Sequence, residues 1–214
     1  MMKLRFDALK RVLCLGAHSD DIEIGAGGTI LEYLARDPDV HVDWVVFAAA
    51  DPVRAEEARE SARRFLKQAK SAKVHIFDFR DGFFPSDRIR LKEQFESLKA
   101  EIHPDLILTH HHDDAHQDHR MVNELTWNTW RNHLVLEYEI VKWDGDLGRP
   151  NVYVPISAER LDEKISTLVD AFSSQRGKDW FDQETFRGLG RIRGMECRSE
   201  SNYAEAFHAR KLVI

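Results

Sequence analysis

Arg11-Val12-Leu13-Cys14-Leu15-Gly16-Ala17-His18-Ser19-Asp20-Asp21-Ile22-Glu23-Ile24-Gly25-Ala26-Gly27-Gly28 is the stretch on which the fold turns. Residues 11–16 are an apolar run of strand character. A His/Asp cluster interrupts the run, and the residues that follow are small or apolar, as in a helix lying close on a sheet. That helix is expected to begin within residues 24–28 and to end near Arg36. Further strand-like runs occupy residues 40–48, 74–79 and 106–109, whereas residues 54–69 and 88–102 space their apolar side chains by three and four. This alternation predicts an α/β fold, a Rossmann-like three-layer sandwich with a mostly parallel sheet. His103-Pro104-Asp105 ends the third helix, because a residue before proline avoids helical geometry.

Beyond His119 the pattern loosens. Residues 121–130 read as helix, 134–142 and 151–156 as extended, 144–150 as a turn-rich loop and 157–172 as an amphipathic helix. The rest, with Gly177, Gly188, Gly190 and Gly194, is expected to form a C-terminal extension or a cap over the site. The 214 residues read as a single domain, residues 1–214, with a Rossmann-like core over 1–130 and a smaller part over 131–214. With 43% hydrophobic and 32% charged residues and a formal charge of −6, the chain has globular composition. Basic residues have acidic neighbours, as in Arg54-Ala55-Glu56-Glu57, so no stripe can follow a phosphate backbone and nucleic acid is not an expected partner. Cys14 lies in the apolar run, where a reduced buried thiol is the ordinary expectation. Met1–Asp7 lacks a signal-peptide stretch and no segment has the length of a membrane span, which together predict a cytoplasmic protein.

Two clusters carry the chemistry. The first, His18-Ser19-Asp20-Asp21, follows the first strand; the second, His110-His111-His112-Asp113-Asp114-Ala115-His116-Gln117-Asp118-His119, follows the fourth and holds five of the eleven histidines. In a doubly wound sheet of order 3-2-1-4-5 these strand ends are neighbours at the switch point, so the clusters face each other. A catalytic zinc takes three protein ligands and keeps a position open, and His18, Asp21 and His119 supply such a set. Zn2+ is the expected cofactor, with another divalent metal such as Fe2+ compatible. Asp20 suits the base that deprotonates the attacking water and His116 the acid or electrostatic partner, with Asp118 holding the His116 imidazole in one tautomer. The competing reading of Asp20 is a helix N-cap or a loop-stabilising role.

These residues resemble the LmbE-like, or PIG-L, zinc-dependent N-deacetylases, whose signature is Ala-His-Pro-Asp-Asp followed later by His-x-Asp-His. Residues 16–29 match the first block and His116-Gln117-Asp118-His119-Arg120 the second. The resemblance implies His18, Asp21 and His119 as zinc ligands, Asp20 as general base and His116 as its partner. It extends to Val53-Arg54-Ala55-Glu56-Glu57-Ala58, which implies Arg54 as a substrate contact, to Asp81-Gly82 as a third-strand turn, and to Ser173-Ser174-Gln175 and Tyr203-Ala204-Glu205-Ala206-Phe207. Ser19 and Gln117 stand where proline is commoner, which bears on loop stiffness rather than chemistry. Glu23 stands one position later than the usual glutamate.

The implied reaction removes an acetyl group from the nitrogen of an N-acetylated amino sugar or sugar conjugate, a small-molecule partner; a homo-oligomer is compatible with the sequence. Two rivals remain at this level: a metal-dependent phosphoesterase, and a sugar-binding protein without activity on the same fold. Gly25-Ala26-Gly27-Gly28 is not a dinucleotide fingerprint, since Ile30 stands where the third glycine belongs, and these glycines are expected to permit close helix packing. Trp127, Trp130, Trp143 and Trp180 are read mainly as core. Among His110, His111 and His112, which cannot all face one metal, His110 is the expected supporting residue.

Overall fold

The computed structural model describes residues 9–213; the Met1–Asp7 segment lies outside the described residues. Seven strands form one sheet: β1 (Arg11–His18), β2 (His41–Ala48), β3 (Ala72–Ile76), β4 (Leu106–His110), β5 (Leu134–Tyr138), β6 (Val152–Pro155) and β7 (Ala204–His208), in the order β3-β2-β1-β4-β5-β7-β6. The first five pair in parallel, with Arg11 opposite His41 and Val12 opposite Leu106. β7 enters antiparallel between β5 and β6, as the last strand of the chain to join. The expected α/β sandwich and the 3-2-1-4-5 order therefore both form.

Strand periodicity of two sorts the side chains into the two faces. Val12 and Cys14, with Trp44 and Val46, pack beneath α1 (Asp21–Arg36), α2 (Pro52–Phe65) and α5 (Ala158–Ala171). Leu13, Leu15 and Ala17, with Val45 and Phe47, pack beneath α3 (Arg88–Glu101) and α4 (Gln117–Thr129). Cys14 is buried and both cysteines are free, as expected for a reduced core thiol. Among the described residues, no helix is long and apolar enough to cross a membrane.

Two boundaries differ from the sequence expectation in ways that matter for the site. α1 starts at Asp21, about a turn before the residues at which helical pattern becomes visible, because the first turn is built from Asp21, Ile22 and Glu23 and carries no apolar stripe of its own. α4 starts at Gln117 rather than near Met121, which places Asp118 and His119 in its first turn. Gly25, Gly27 and Gly28 do let α1 approach its neighbours: a Cβ on Gly25 would sit 2.6 Å from Cγ of Tyr138, and one on Gly27 2.6 Å from Phe65. The C-terminal segment forms an extension. Its helix α6 (Gln183–Cys197) packs on α5, β6 and β7, and the short 3-10 turn Ser173–Gln175 reaches α2 through the Glu57 side chain.

Candidate metal centre

The ends of β1 and β4 meet where the winding reverses, and the two clusters come together there. His18 closes β1, Asp21 opens α1, and His119 projects from the first turn of α4. His18 Nδ1 and His119 Nε2 are 3.1 Å apart, His18 Nδ1 and Asp21 Oδ2 3.3 Å, and His119 Nε2 and Asp21 Oδ2 3.5 Å. Donors held tetrahedrally at about 2.0–2.1 Å from a zinc-sized ion are about 3.3 Å apart, so this triangle has the dimensions of a metal-ligand set. Its chemistry, two imidazoles and a carboxylate, is that of a borderline divalent ion with an open coordination position.

The electrostatics show what that geometry costs. Burial opposes charge on Asp21, but His119, His110 and His18 outweigh it and hold the carboxyl well below its usual range. Burial likewise opposes an imidazolium at His18, yet Asp21, with hydrogen bonds to Asp118, Asp21 and Asp81, raises its pKa well above the ordinary value. At His119 burial and the neighbouring His110 win, lowering the pKa to about 3, so this ring is neutral and can give a lone pair.

Each imidazole of the set is braced at its other nitrogen, and here the structure corrects the sequence reading. The Asp118 carboxylate does not hold His116. It accepts from the backbone N–H of Gly82 (2.6 Å) and Phe84 (3.1 Å) and lies 3.2 Å from His18 Nε2. What His116 receives from Asp118 is a backbone N–H, donated to its Nδ1 at 3.2 Å while His116 serves as the N-cap of α4. The physical reason is helix geometry: once α4 starts at Gln117, the Asp118 side chain is turned away from its own cap residue. The exposed Asp81 carboxylate adds a second contact to His18 Nε2 at 3.0 Å. His119 Nδ1 is held by Asp114 Oδ2 at 2.9 Å; the same carboxylate accepts from His116 N–H (2.8 Å) and pairs with Lys142 (3.1 Å). Asp114 was passed over in sequence although it lies inside the second cluster. The signal present was a carboxylate five residues before His119, a spacing that only the intervening helix cap brings into contact.

His116 sits with its ring centroid 4.7 Å from those of His18 and His119. Because its Nδ1 accepts, a neutral ring carries its proton on Nε2. Burial, then His18, lowers its pKa, which favours that neutral form. Asp20 occupies the N-cap position of α1 but makes no cap hydrogen bond with its side chain; instead its Oδ1 is 2.6 Å from Arg54 Nη2. The Asp20 side chain therefore does not cap α1; it ties the start of that helix to Arg54 of α2. Arg54, read in sequence as a substrate contact, spends its donors on Asp20, on Glu57 (3.1 Å) and on Ser174 (3.3 Å). Glu23 is fully buried, and burial raises its pKa to about 8.

His110 stacks on His119 at 4.0 Å, and its Nε2 accepts from Ala17 N–H (2.9 Å) while lying 3.2 Å from Asp21 Oδ2, a supporting position as expected. Its neighbours His111 and His112 turn instead to Glu137. Of Trp127, Trp130, Trp143 and Trp180, Trp130 is core, whereas Trp143 is 65% exposed.

Residues 13–130 match the family described as GlcNAc-PI de-N-acetylase (PIG-L). A diacetylchitobiose deacetylase from Thermococcus kodakarensis is 30% identical over 128 residues, 54% of this chain; the matched stretch spans about half (47%) of that relative's length. Among solved structures, the N,N'-diacetylchitobiose deacetylase from Pyrococcus horikoshii superposes with a TM-score of 0.72 at 22% identity, covering 95% of this chain and 85% of its own. A 4-carboxy-2-hydroxymuconate hydratase from Pseudomonas putida superposes with a TM-score of 0.78 at 18% identity, covering 96% and 98%. These superpositions establish a shared fold, and they show that the fold hosts both a deacetylase and a hydratase. By the match over residues 13–130, a span that includes the His18–Asp21 and His116–His119 blocks, the chain belongs to the PIG-L family.

Proposed function

We propose that this protein is a zinc-dependent hydrolase that removes an acetyl group from the amide nitrogen of an N-acetylated amino sugar or sugar conjugate. The observation that carries the reading is the 3.1–3.5 Å triangle of His18, Asp21 and His119 donor atoms beside two groups that ligation does not need, Asp20 and His116. The family match and the deacetylase relative support the choice of an acetylated amino sugar as substrate. His18, Asp21 and His119 would hold the ion, which when bound supplies Lewis acidity, polarising a carbonyl and making water a nucleophile at neutral pH.

The remaining roles belong to the chain's own side chains. Asp20, oriented by Arg54 at 2.6 Å, accepts the proton of the attacking water and is the group from which the leaving amine is protonated. His116, neutral and protonated on Nε2, donates a hydrogen bond to the oxyanion that develops as the amide carbonyl becomes tetrahedral. This sharpens its part: a ring held neutral by burial is a better hydrogen-bond donor to an oxyanion than a source of a full proton. Asp118 and Asp114 keep the His18 and His119 rings aimed.

Acetate release from a panel of N-acetylated amino sugars by zinc-loaded protein tests the reading, with Asp20→Ala as the control. The expected result is acetate with the wild type and none with Asp20→Ala at equal zinc content. The same zinc-loaded protein is assayed for hydration of a conjugated diene acid and for phosphate release from sugar phosphates. Turnover in either of those assays, with no acetate from any sugar, overturns the reading, as does full activity in Asp20→Ala.

A further inference from the structure

His110 ends β4 and two more histidines follow it, and only His110 faces the centre described above. His111 and His112 direct their Nδ1 atoms at one oxygen, Oε2 of Glu137, at 3.1 and 3.2 Å. Glu137 is fully buried on β5 and is itself fixed: Oε2 also accepts from His112 N–H (3.1 Å), and Oε1 from Trp127 Nε1 and Arg210 Nε (both 2.7 Å). A carboxylate on Nδ1 sets the tautomer of an imidazole, orients it and raises the basicity of Nε2, which is how ligand histidines are usually supported. One carboxylate here does so for two rings at once.

The Nε2 atoms so presented have a third donor beside them. Asp113 Oδ2 lies 3.0 Å from His112 Nε2 and 3.9 Å from His111 Nε2, and one ligand atom from each of His111, His112 and Asp113 falls within 4.8 Å of the others. The Asp113 side chain is 73% exposed and that of His112 47%, so both can adjust toward the ~3.3 Å separation of a four-coordinate ion, and an ion can enter from solvent. His208 stacks face to face on His111 (3.7 Å, 13°), and its buried Nε2 has no hydrogen-bond partner. Gly148 stands opposite, where a Cβ would lie 3.3 Å from His208 Nε2 and 3.6 Å from His111 Nε2; the missing side chain leaves that approach clear.

We infer that His111, His112 and Asp113 form a second site for a divalent transition ion of the zinc class, sharing no ligand with the first and keeping open positions toward solvent. The exposure of His112 and Asp113 makes it the weaker of the two. Two-metal hydrolases hold their ions about 3.5–4 Å apart with both on the substrate; this cluster has its own carboxylate support on β5 and does not rest on the deacetylase reading. Occupation would clamp the loop that leads directly into Asp114 and His116.

The test is a titration of the metal-free full-length protein, without an affinity tag, with Co2+ followed by visible absorption and with Zn2+ followed by calorimetry. The wild type should take up two equivalents, one tight and one weaker. His112→Ala and Asp113→Ala, both at exposed positions, should each lose the weaker equivalent and keep the tight one. His18→Ala should lose the tight one and keep the weaker. A Glu137→Gln variant should weaken the second site by about 10–100-fold. A single equivalent in the wild type, or a second equivalent unchanged in both His112→Ala and Asp113→Ala, overturns the inference.

Discussion

Replacing Asp118 by Asn separates two accounts of this residue. The side chain is fully buried and keeps its shape, but the charge facing His18 Nε2 at 3.2 Å disappears. His18 Nε2 has a second carboxylate at 3.0 Å, Asp81, whose side chain is 75% exposed. The nearer contact is the weaker support, because water and salt screen an exposed charge while a buried one acts through a low dielectric. Asp118→Asn should therefore cost the 10–100-fold in metal affinity typical of a lost outer carboxylate, about 1.4–2.7 kcal/mol, and Asp81→Asn only a few-fold. The new amide also turns an N–H toward either Gly82 N–H or Phe84 N–H, leaving one of them without its acceptor at about 1–3 kcal/mol of stability. Competition for Zn2+ between the metal-free protein and a chromophoric chelator measures the affinity, and thermal unfolding of the metal-free forms measures the stability. If Asp118 served His116 instead, Zn2+ affinity would stay within threefold of wild type while the pH–rate profile moved. That pair of results would refute the assignment of Asp118 to His18.

Three further perturbations test other parts of the structure. Arg54→Gln should lower kcat by an order of magnitude or more with little change in KM, since Arg54 is bonded to Asp20, Glu57 and Ser174; a rise in KM at constant kcat would return it to the substrate. Asp43 is buried against Arg11 at 2.6 Å; burial opposes its charge, but His75 and Arg11 outweigh it and hold the carboxyl well below its usual range. Its contribution is thus complete above about pH 4 and is lost as pH falls toward the folded value. Asp43→Asn should cost about 2–3 kcal/mol at pH 7, and chemical denaturation should show the gap to wild type closing below pH 4; a gap of equal size at pH 3 and pH 7 would sink this account. Gly25→Ala would gain about 1 kcal/mol of helix propensity but places a methyl 2.6 Å from Cγ of Tyr138. Overpacking of about 1–3 kcal/mol should win, read as a lowered Tm together with loss of the 2.6 Å Tyr138 hydroxyl bond to Leu15 O; a raised Tm would show that the ring moves freely.

Much was legible in the sequence because it rests on local physics. Period-two apolar runs and their alternation with helical spacing determine an α/β sandwich, and the His/Asp clusters after the first and fourth runs determine where its chemistry lies, since those strand ends are neighbours in a doubly wound sheet. The grouping of His18, Asp21 and His119 was readable for the same reason, and the structure brings their donor atoms within 3.5 Å of one another. What only the tertiary structure decided is which atom faces which. Asp118 and His119 are adjacent in sequence, but on α4 they point about 100° apart, so one supports His18 while the other joins it. Asp114 braces His119; Arg54 meets Asp20 from 34 residues away; and β7 inserts between β5 and β6, bringing His208 against His111. These partnerships depend on where helices start and which strands pair across the sheet, and residue spacing alone does not encode either.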